Sequence, residues 1–162
     1  MNKRKNIITV AIDSPAAAGA GTQAKFIAKE YNLLYLDTGK IYRLIGKIKL
    51  TAGKKFNYSF IKKKISNIKI NQLNNTKLIS DDIAKCASIV AKDNNIRKLV
   101  KKFQLNCAYN PPKKYSGSVL DGRDITSVIM KDAMFKFYIT ANLNIRAKRR
   151  YKEFKKLKKK IS

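Results

Sequence analysis

Three short segments carry residues whose types and spacing suggest chemistry. The first is Ser14-Pro15-Ala16-Ala17-Ala18-Gly19-Ala20-Gly21-Thr22. Small side chains let a backbone close around an anion, and successive N–H groups entering a helix converge on it with the helix dipole behind them. The usual phosphate loop reads G-x-x-x-x-G-K-[ST]. Here Ser14 takes the place of the first Gly, Gly19 is the second, and Ala20 stands where the Lys belongs. Gly21 fills the hydroxyl position, so Thr22 is the nearest hydroxyl. The loop Lys normally puts a cation on the β- and γ-phosphates. Losing one such electrostatic contact costs about 2.7–4 kcal/mol.

The second segment is Tyr35-Leu-Asp-Thr-Gly-Lys-Ile-Tyr-Arg43. Asp37 and Thr38 fall at the end of an apolar run, where open α/β sheets bind ligands, and Tyr42 and Arg43 follow on the next helical turn. The third is Asp121-Gly-Arg-Asp124. Its guanidinium matches a phosphate, and its second carboxylate can accept from the exocyclic amine of cytosine. Taken singly, each segment also has a plain structural reading: a small-residue turn, a capped helix start, and a surface turn with a local salt bridge.

The elements that must hold these segments follow from periodicity. Ile7–Ile12 is a nearly continuous apolar run, the pattern of a strand buried on both faces. A helical pattern follows, with Ala24, Phe26, Ile27, Ala28 and Tyr31 expected on or near its inner face. Leu33–Leu36 predicts a second buried strand, and Ile41, Leu44, Ile45 and Ile48 a second helix. This alternation indicates an α/β fold with a parallel sheet. Residues 51–80 break the rhythm and read as a small insertion rich in Lys and Asn. Ser80, with Asp81 and Asp82 behind it, predicts a helix start. A further helix through Ile96, Val100, Phe103 and Leu105 stops at Asn110-Pro111-Pro112. Ser118–Leu120 and Phe135–Ala141 predict strands, and from Ile145 the chain is helical and densely basic, with Ala147, Tyr151, Phe154, Leu157 and Ile161 on one stripe.

Composition narrows the chemistry. The 162 residues contain no His, which excludes Ser-His-Asp and Cys-His catalysis and any His-ligated metal. Cys86 and Cys107 lie far apart and read as reduced, buried thiols. No apolar run is long enough to span a membrane. The start, MNKRKNIITVAID, has the charge order of a signal peptide but an apolar run too short for one, so the expected location is cytoplasmic. The net charge of +27 invites a nucleic-acid reading. However, 30 Lys stand against 7 Arg, and Arg is the residue that reads bases and phosphates bidentately. Abundant Lys, Ile and Asn also fit an A/T-rich coding sequence, so no specific nucleic acid is expected.

Together and in order, the segments resemble the bacterial cytidylate kinase family. AIDSPAAAGAGT is similar to its phosphate loop, YLDTGKIYR to its D[ST]GxxYR segment and LDGRDI to its DGRD. KDAMFKFYITA followed by RAKRRY resembles the strand and helix leading into its lid, and Ala87-Ser88 with Arg97 nine residues on matches another of its segments. GTQAKFIAKEY resembles the first helix of adenylate kinases, but DGRD and DTGxxYR belong to the cytidylate pattern.

The resemblance implies a P-loop nucleoside monophosphate kinase fold, a parallel sheet of strand order 2-3-1-4 flanked by helices, with the last strand and helix missing. It implies core segments at 1–50 and 81–145, a short inserted acceptor-nucleotide subdomain at 51–80, and the start of a truncated lid helix at 146–162. It implies a monomer that moves the γ-phosphoryl of ATP, with Mg²⁺, to CMP or dCMP. Ser14 to Thr22 would cradle the ATP phosphates. Thr38, Tyr42, Arg43 and Arg123 would hold the acceptor phosphate. Ser88, Arg97 and Asp124 would read cytosine, and Arg149 would lie at the lid base near the donor phosphates. No residue is assigned as a direct metal ligand. Ala20 is one departure from the family pattern. Lys40, where the family carries a small residue, is a candidate replacement cation, whereas Lys25 has a family counterpart. The departures keep two alternatives in view: a non-catalytic nucleotide-binding remnant, and an RNA-binding basic protein.

Overall fold

The structure, a computed structural model, describes residues 6–74, 78 and 80–158. Ile8–Asp13 (β1) is buried from Thr9 to Asp13 on both faces, its polar Thr9 and Asp13 included, and it lies inside the sheet. It pairs in parallel with Gly117–Gly122 (β3) on one side and Phe135–Tyr138 (β4) on the other. Leu33–Asp37 (β2) pairs in parallel with the far edge of β3, giving the order β2-β3-β1-β4. The order agrees with the expected 2-3-1-4. Registry puts Asp13 beside Gly122 and Asp37 beside Asp121, so β1, β2 and β3 end level with one another. All three candidate segments therefore leave the same edge of the sheet.

Among the described residues, six α-helices flank the sheet: Ala20–Glu30 (α1), Thr38–Ala52 (α2), Tyr58–Ser66 (α3), Asp81–Val90 (α4), Asn94–Tyr109 (α5) and Leu143–Lys158 (α6). On one face, α1 lays Ala20, Ala24 and Ala28 against Val10, Ile12, Leu33 and Val119. Small residues four apart let the helix approach the strands closely. On the other face, Leu34, Leu36, Ile41, Ile45, Val100, Leu120 and Ile125 form the larger core. Short side chains fix several helix starts. Asp37 accepts from the Lys40 N–H, Asn57 from that of Phe60, Ser80 from that of Ile83, and Asp93 from those of Asn95 and Ile96. The caps at Ser80 and the stop before Pro111 lie where the sequence predicts them.

Some expectations need correction. Phe26 is 64% exposed and Tyr31 also faces outward. Phe26 lies two residues from both Ala24 and Ala28, about 200° around the helix, so the alanine stripe decides the buried face. Strand β4 ends at Tyr138 rather than Ala141, although the Ile139 N–H still donates to the Asp13 carbonyl. Among the described residues β4 pairs on one side only, and its four residues are exposed. Residues 51–80, read from the sequence as an insertion, hold no strand among the described residues. The stretch is helical, with α3 and a 3-10 turn at Ile70–Asn74, and it buries Ile61, Ile65 and Leu73 in the larger core. Cys86 and Cys107 are free and buried, and burial pushes the Cys107 thiol up to about 11. The Met1–Lys5 start and the Ile161 stripe position lie outside the described residues. Among the described residues, no helix is long and apolar enough to cross a membrane.

Candidate active site

A cleft of about 740 Å³ opens where β1, β2 and β3 end. One wall is the loop Ser14–Thr22. The floor carries Tyr35, Asp37, Thr38 and Asp121, and the opposite wall Tyr42, Arg43, Arg97, Arg123 and Asp124. Arg150 and Glu153, an ion pair on α6 with nitrogen and oxygen 2.7 Å apart, close one side.

The loop is anchored at its start, where the Ser14 N–H donates to the Gly122 carbonyl at 3.0 Å. It turns through two left-handed residues, Ala17 at φ 59° and Gly19 at φ 103°. Gly19 precedes α1, and the Thr22 and Gln23 N–H groups return to its carbonyl at 3.0 and 3.2 Å. By helix geometry the Ala20 and Gly21 amides have no carbonyl to turn back to, so they are the donors left for an anion. Ala20 itself is 3% exposed and brings no charge.

The wall opposite the loop is cross-braced. Buried Thr38 donates its hydroxyl to the Asp121 carbonyl at 2.8 Å, tying α2 to the end of β3. Gly122 admits Thr38 because any Cβ there would collide with the Thr38 hydroxyl and with Ile125. Arg43 reaches into the cleft and donates to the Leu78 carbonyl at 3.1 Å. Arg97 makes an ion pair with Asp124 and also donates to the Ala91 carbonyl at 3.3 Å. Tyr42 packs beside that pair. Burial is the largest cause that raises its phenol above the ordinary value; Arg97 pulls it down and Asp124 pushes it up. The phenol therefore stays protonated as a donor.

At the floor, Asp121 is pushed up to about 7, first by burial and then by the neighbouring Asp37 carboxylate; the Tyr35 hydroxyl and Lys40 act in the opposite direction. Burial together with Asp121 and Asp37 raises the Tyr35 phenol, so it donates toward Asp121. One Asp121 oxygen, Oδ1, is buried without a hydrogen-bond partner among the described residues. Two carboxylates facing one another with an unsatisfied oxygen suit a hard divalent cation, which Mg²⁺ sites commonly meet through one or two carboxylates, waters and substrate phosphates. Among the described residues no set of three or more His, Cys, Asp or Glu forms an all-protein metal cage.

Most of the residues singled out from the sequence thus line one cleft. Two do not. Ser88 is exposed on α4, and its hydroxyl donates to the Lys85 carbonyl at 2.7 Å. Arg149 lies behind the phosphate loop, donating to the carbonyls of Ala18 at 2.9 Å and Ala17 at 3.4 Å. Sequence reasoning missed Asp13. It is buried, accepts the Ile125 N–H at 2.6 Å and the Thr126 N–H at 3.1 Å, and is also bonded by the Thr126 hydroxyl. The available signal was a carboxylate closing an apolar strand, a position where an Asp needs partners. It also missed Tyr35, which shares a face of β2 with Asp37 through the two-residue strand period.

A parallel sheet with a phosphate loop after its first strand, a second nucleotide wall opposite and a carboxylate floor between them defines a nucleoside monophosphate kinase, a phosphotransferase. The family model described as cytidylate kinase matches residues 10–162. Similar proteins include the cytidylate kinases of Bartonella tribocorum, 41% identical over 91% of this chain and 67% of that protein, and of Azorhizobium caulinodans, 40% identical over 89% of this chain and 68% of that protein. That of Clostridium botulinum is 36% identical over 91% of this chain and 71% of its own length. The chain belongs to the cytidylate kinase family, and it spans about two thirds of the length of the first two relatives.

Proposed function

We propose that this chain transfers the γ-phosphoryl group of ATP to CMP or dCMP, giving ADP and the cytidine diphosphate. The observation that carries this reading is the Arg97–Asp124 pair lining one cleft with the phosphate loop, Arg43 and Arg123. Carboxylate and guanidinium groups suited to a base, further guanidinium groups suited to a phosphate and a loop of free amides thus share one cleft, which supports the reading.

The roles follow from the groups. Loop amides from Ser14 to Thr22 bind the ATP phosphates. Arg43 and Arg123, beside Thr38 and Tyr42, hold the CMP phosphate by charge-assisted bonds. Arg97 offers donors and Asp124 acceptors to the cytosine edge, and residues 51–80 form the segment beside the acceptor nucleotide. Asp37 and Asp121 would hold Mg²⁺, with Thr22 lining the same cleft. Bound there, Mg²⁺ neutralises charge on the β- and γ-phosphates. A CMP phosphate oxygen attacks the γ-phosphorus while the bond to the β-phosphate oxygen breaks. The protein contributes position and charge stabilisation, and no residue forms a covalent intermediate. This chemistry suits a monomer acting in the cytoplasm.

A coupled assay with ATP, Mg²⁺ and CMP tests the proposal, with dCMP, UMP and AMP as competing acceptors. CDP formation that falls at least tenfold in Arg97→Met, with ATP affinity kept, supports it. Binding of both nucleotides without CDP formation overturns it in favour of a non-catalytic remnant.

A further inference from the structure

We propose that the Tyr35 hydroxyl, presented from β2, takes the place of the hydroxyl that a usual phosphate loop carries at position 21, and so belongs with Asp37 and Asp121 to the set that holds the divalent cation. The proposal deepens the kinase reading above and rests on it.

In the usual loop the residue after the Lys is Ser or Thr, and its hydroxyl meets Mg²⁺. In this chain that position is Gly21. A Cβ on Gly21 would stand 3.3 Å from the Tyr35 hydroxyl oxygen and 3.5 Å from Asp121 Oδ2. The space that a loop Ser or Thr side chain would enter is therefore already bordered by a hydroxyl and a carboxylate, and strands bring both. The fit is close enough that any side chain at position 21 has to push the phenol aside. A hydroxyl missing from the loop and a hydroxyl standing beside the same spot are thus two sides of one arrangement.

The surroundings of Tyr35 hold its hydroxyl there. Side chains alternate along β2, so Tyr35 and Asp37 project from one face, and registry sets Asp37 beside Asp121 on β3. The ring packs against the smaller core on the α1 side of the sheet, and the Lys25 ammonium lies 6.0 Å from its centre. Tyr35 lines the cleft together with Gly21, Asp37 and Asp121. Its phenol proton is directed toward Asp121, which leaves the oxygen's lone pairs for a cation or one of its waters. Asp121 Oδ1 is buried without a hydrogen-bond partner among the described residues, so the same carboxylate keeps an oxygen in reserve. Hard divalent cations take oxygens of both kinds. Thr22, the nearest hydroxyl in sequence, lines the cleft but is exposed and lies about 100° further around α1 than Gly21.

Tyr35→Phe removes the hydroxyl and keeps the ring. Two readouts are taken on variants checked for melting temperature: the Mg²⁺ dependence of turnover with ATP and CMP, and calorimetric binding of ADP with and without Mg²⁺. Loss of a group that supports a metal from its outer shell costs about 10–100-fold in affinity. Tyr35→Phe is therefore expected to raise the half-saturating Mg²⁺ concentration about tenfold and to remove most of the gain in ADP affinity that Mg²⁺ brings. ADP binding without Mg²⁺ should stay within about twofold, since the hydroxyl acts on the cation. Adding Gly21→Ser to Tyr35→Phe returns a hydroxyl to the vacated space and is expected to recover part of the Mg²⁺ affinity, whereas Gly21→Ser alone gains nothing. A Mg²⁺ requirement in Tyr35→Phe within about twofold of native overturns the proposal, as does absence of recovery in the double variant. Equal loss of ADP binding with and without Mg²⁺ also overturns it, because a ring that merely supports the loop would act on both. If Tyr35→Phe does not fold, Gly21→Ala and Gly21→Ser are compared in the native background. Ala displaces the phenol without replacing its hydroxyl and should weaken Mg²⁺ binding more than Ser; equal effects overturn the proposal. Absence of CDP formation by the native chain counts against the kinase reading and leaves the ADP and Mg²⁺ binding arm to decide for or against Tyr35.

Discussion

Asp13 is the most consequential residue outside the nucleotide-facing set, and replacing it with Asn tests how the acceptor wall is held. The carboxylate accepts three donors on two oxygens: the Ile125 N–H on Oδ1, and the Thr126 N–H and hydroxyl on Oδ2. A carboxamide keeps the shape but has one oxygen, and its NH₂ then faces at least one donor. A hydrogen bond to a charged group contributes about 1.5–3 kcal/mol, and a buried donor left unsatisfied costs about 1–3 kcal/mol. Because the amide retains one good acceptor, the net loss is about 2–4 kcal/mol. For a chain of this size that lowers Tm by roughly 5–15 °C. The lost bonds immediately follow Arg123 and Asp124, so the KM for CMP should rise at least fivefold while that for ATP moves less than twofold. Thr126→Val, which removes the hydroxyl bond alone, should cost about 1 kcal/mol. Urea denaturation and initial-rate kinetics on the purified variants provide both readings. A stability loss under about 1 kcal/mol, or equal rises in the two KM values, would refute the view that Asp13 braces the acceptor segment.

Two further outcomes follow from the floor and the loop. With chelator present, the raised Asp121 value means the folded chain holds that proton more tightly than the unfolded one, so this carboxyl's contribution to stability is full below about pH 4 and is lost as the pH rises to about 7. The rise from 3.8 to about 7 is worth about 4 kcal/mol across that window; Asp121→Asn should flatten the profile, and an unchanged slope in urea melts would contradict the assignment. Ala17 sits at φ 59° with a Cβ, a conformation that costs roughly 1–2 kcal/mol for an L-residue. Gly gives back about 0.5–1 kcal/mol through the unfolded chain, so Ala17→Gly should raise Tm by one to three degrees, and any drop would argue against strain at that turn.

How much of this was legible depends on whether a residue's role is local. The strand β1, the caps at Asp37 and Ser80 and the stop before Pro111 are set by neighbours within four residues, and the sequence pattern predicts each of them. The face of α1 was harder, because Phe26 outweighs three alanines in any hydrophobic sum, yet the sheet selects the residues that let a helix approach closely. The edge position of β4 is not local at all; it follows from pairing. At the site, the motif residues that line the cleft could be named because backbone loops and charged groups at strand ends have few other uses. Ser88 could be named only by resemblance, and in this structure its hydroxyl turns back to its own helix. Asp13 and Tyr35 work through partners about 110 and 90 positions away, Thr126 and Asp121, and no spacing rule connects such pairs.

The same distinction applies to charge. A net +27 spread over 162 residues says little about phosphate chemistry, because exposed lysines are solvated and screened. What counts is where a guanidinium is fixed by the backbone around it. Four arginines are fixed in this way, each by at least one main-chain carbonyl or carboxylate: Arg43, Arg97, Arg149 and Arg150. Three of them, Arg43, Arg97 and Arg150, line one cleft, while Arg149 lies behind the phosphate loop.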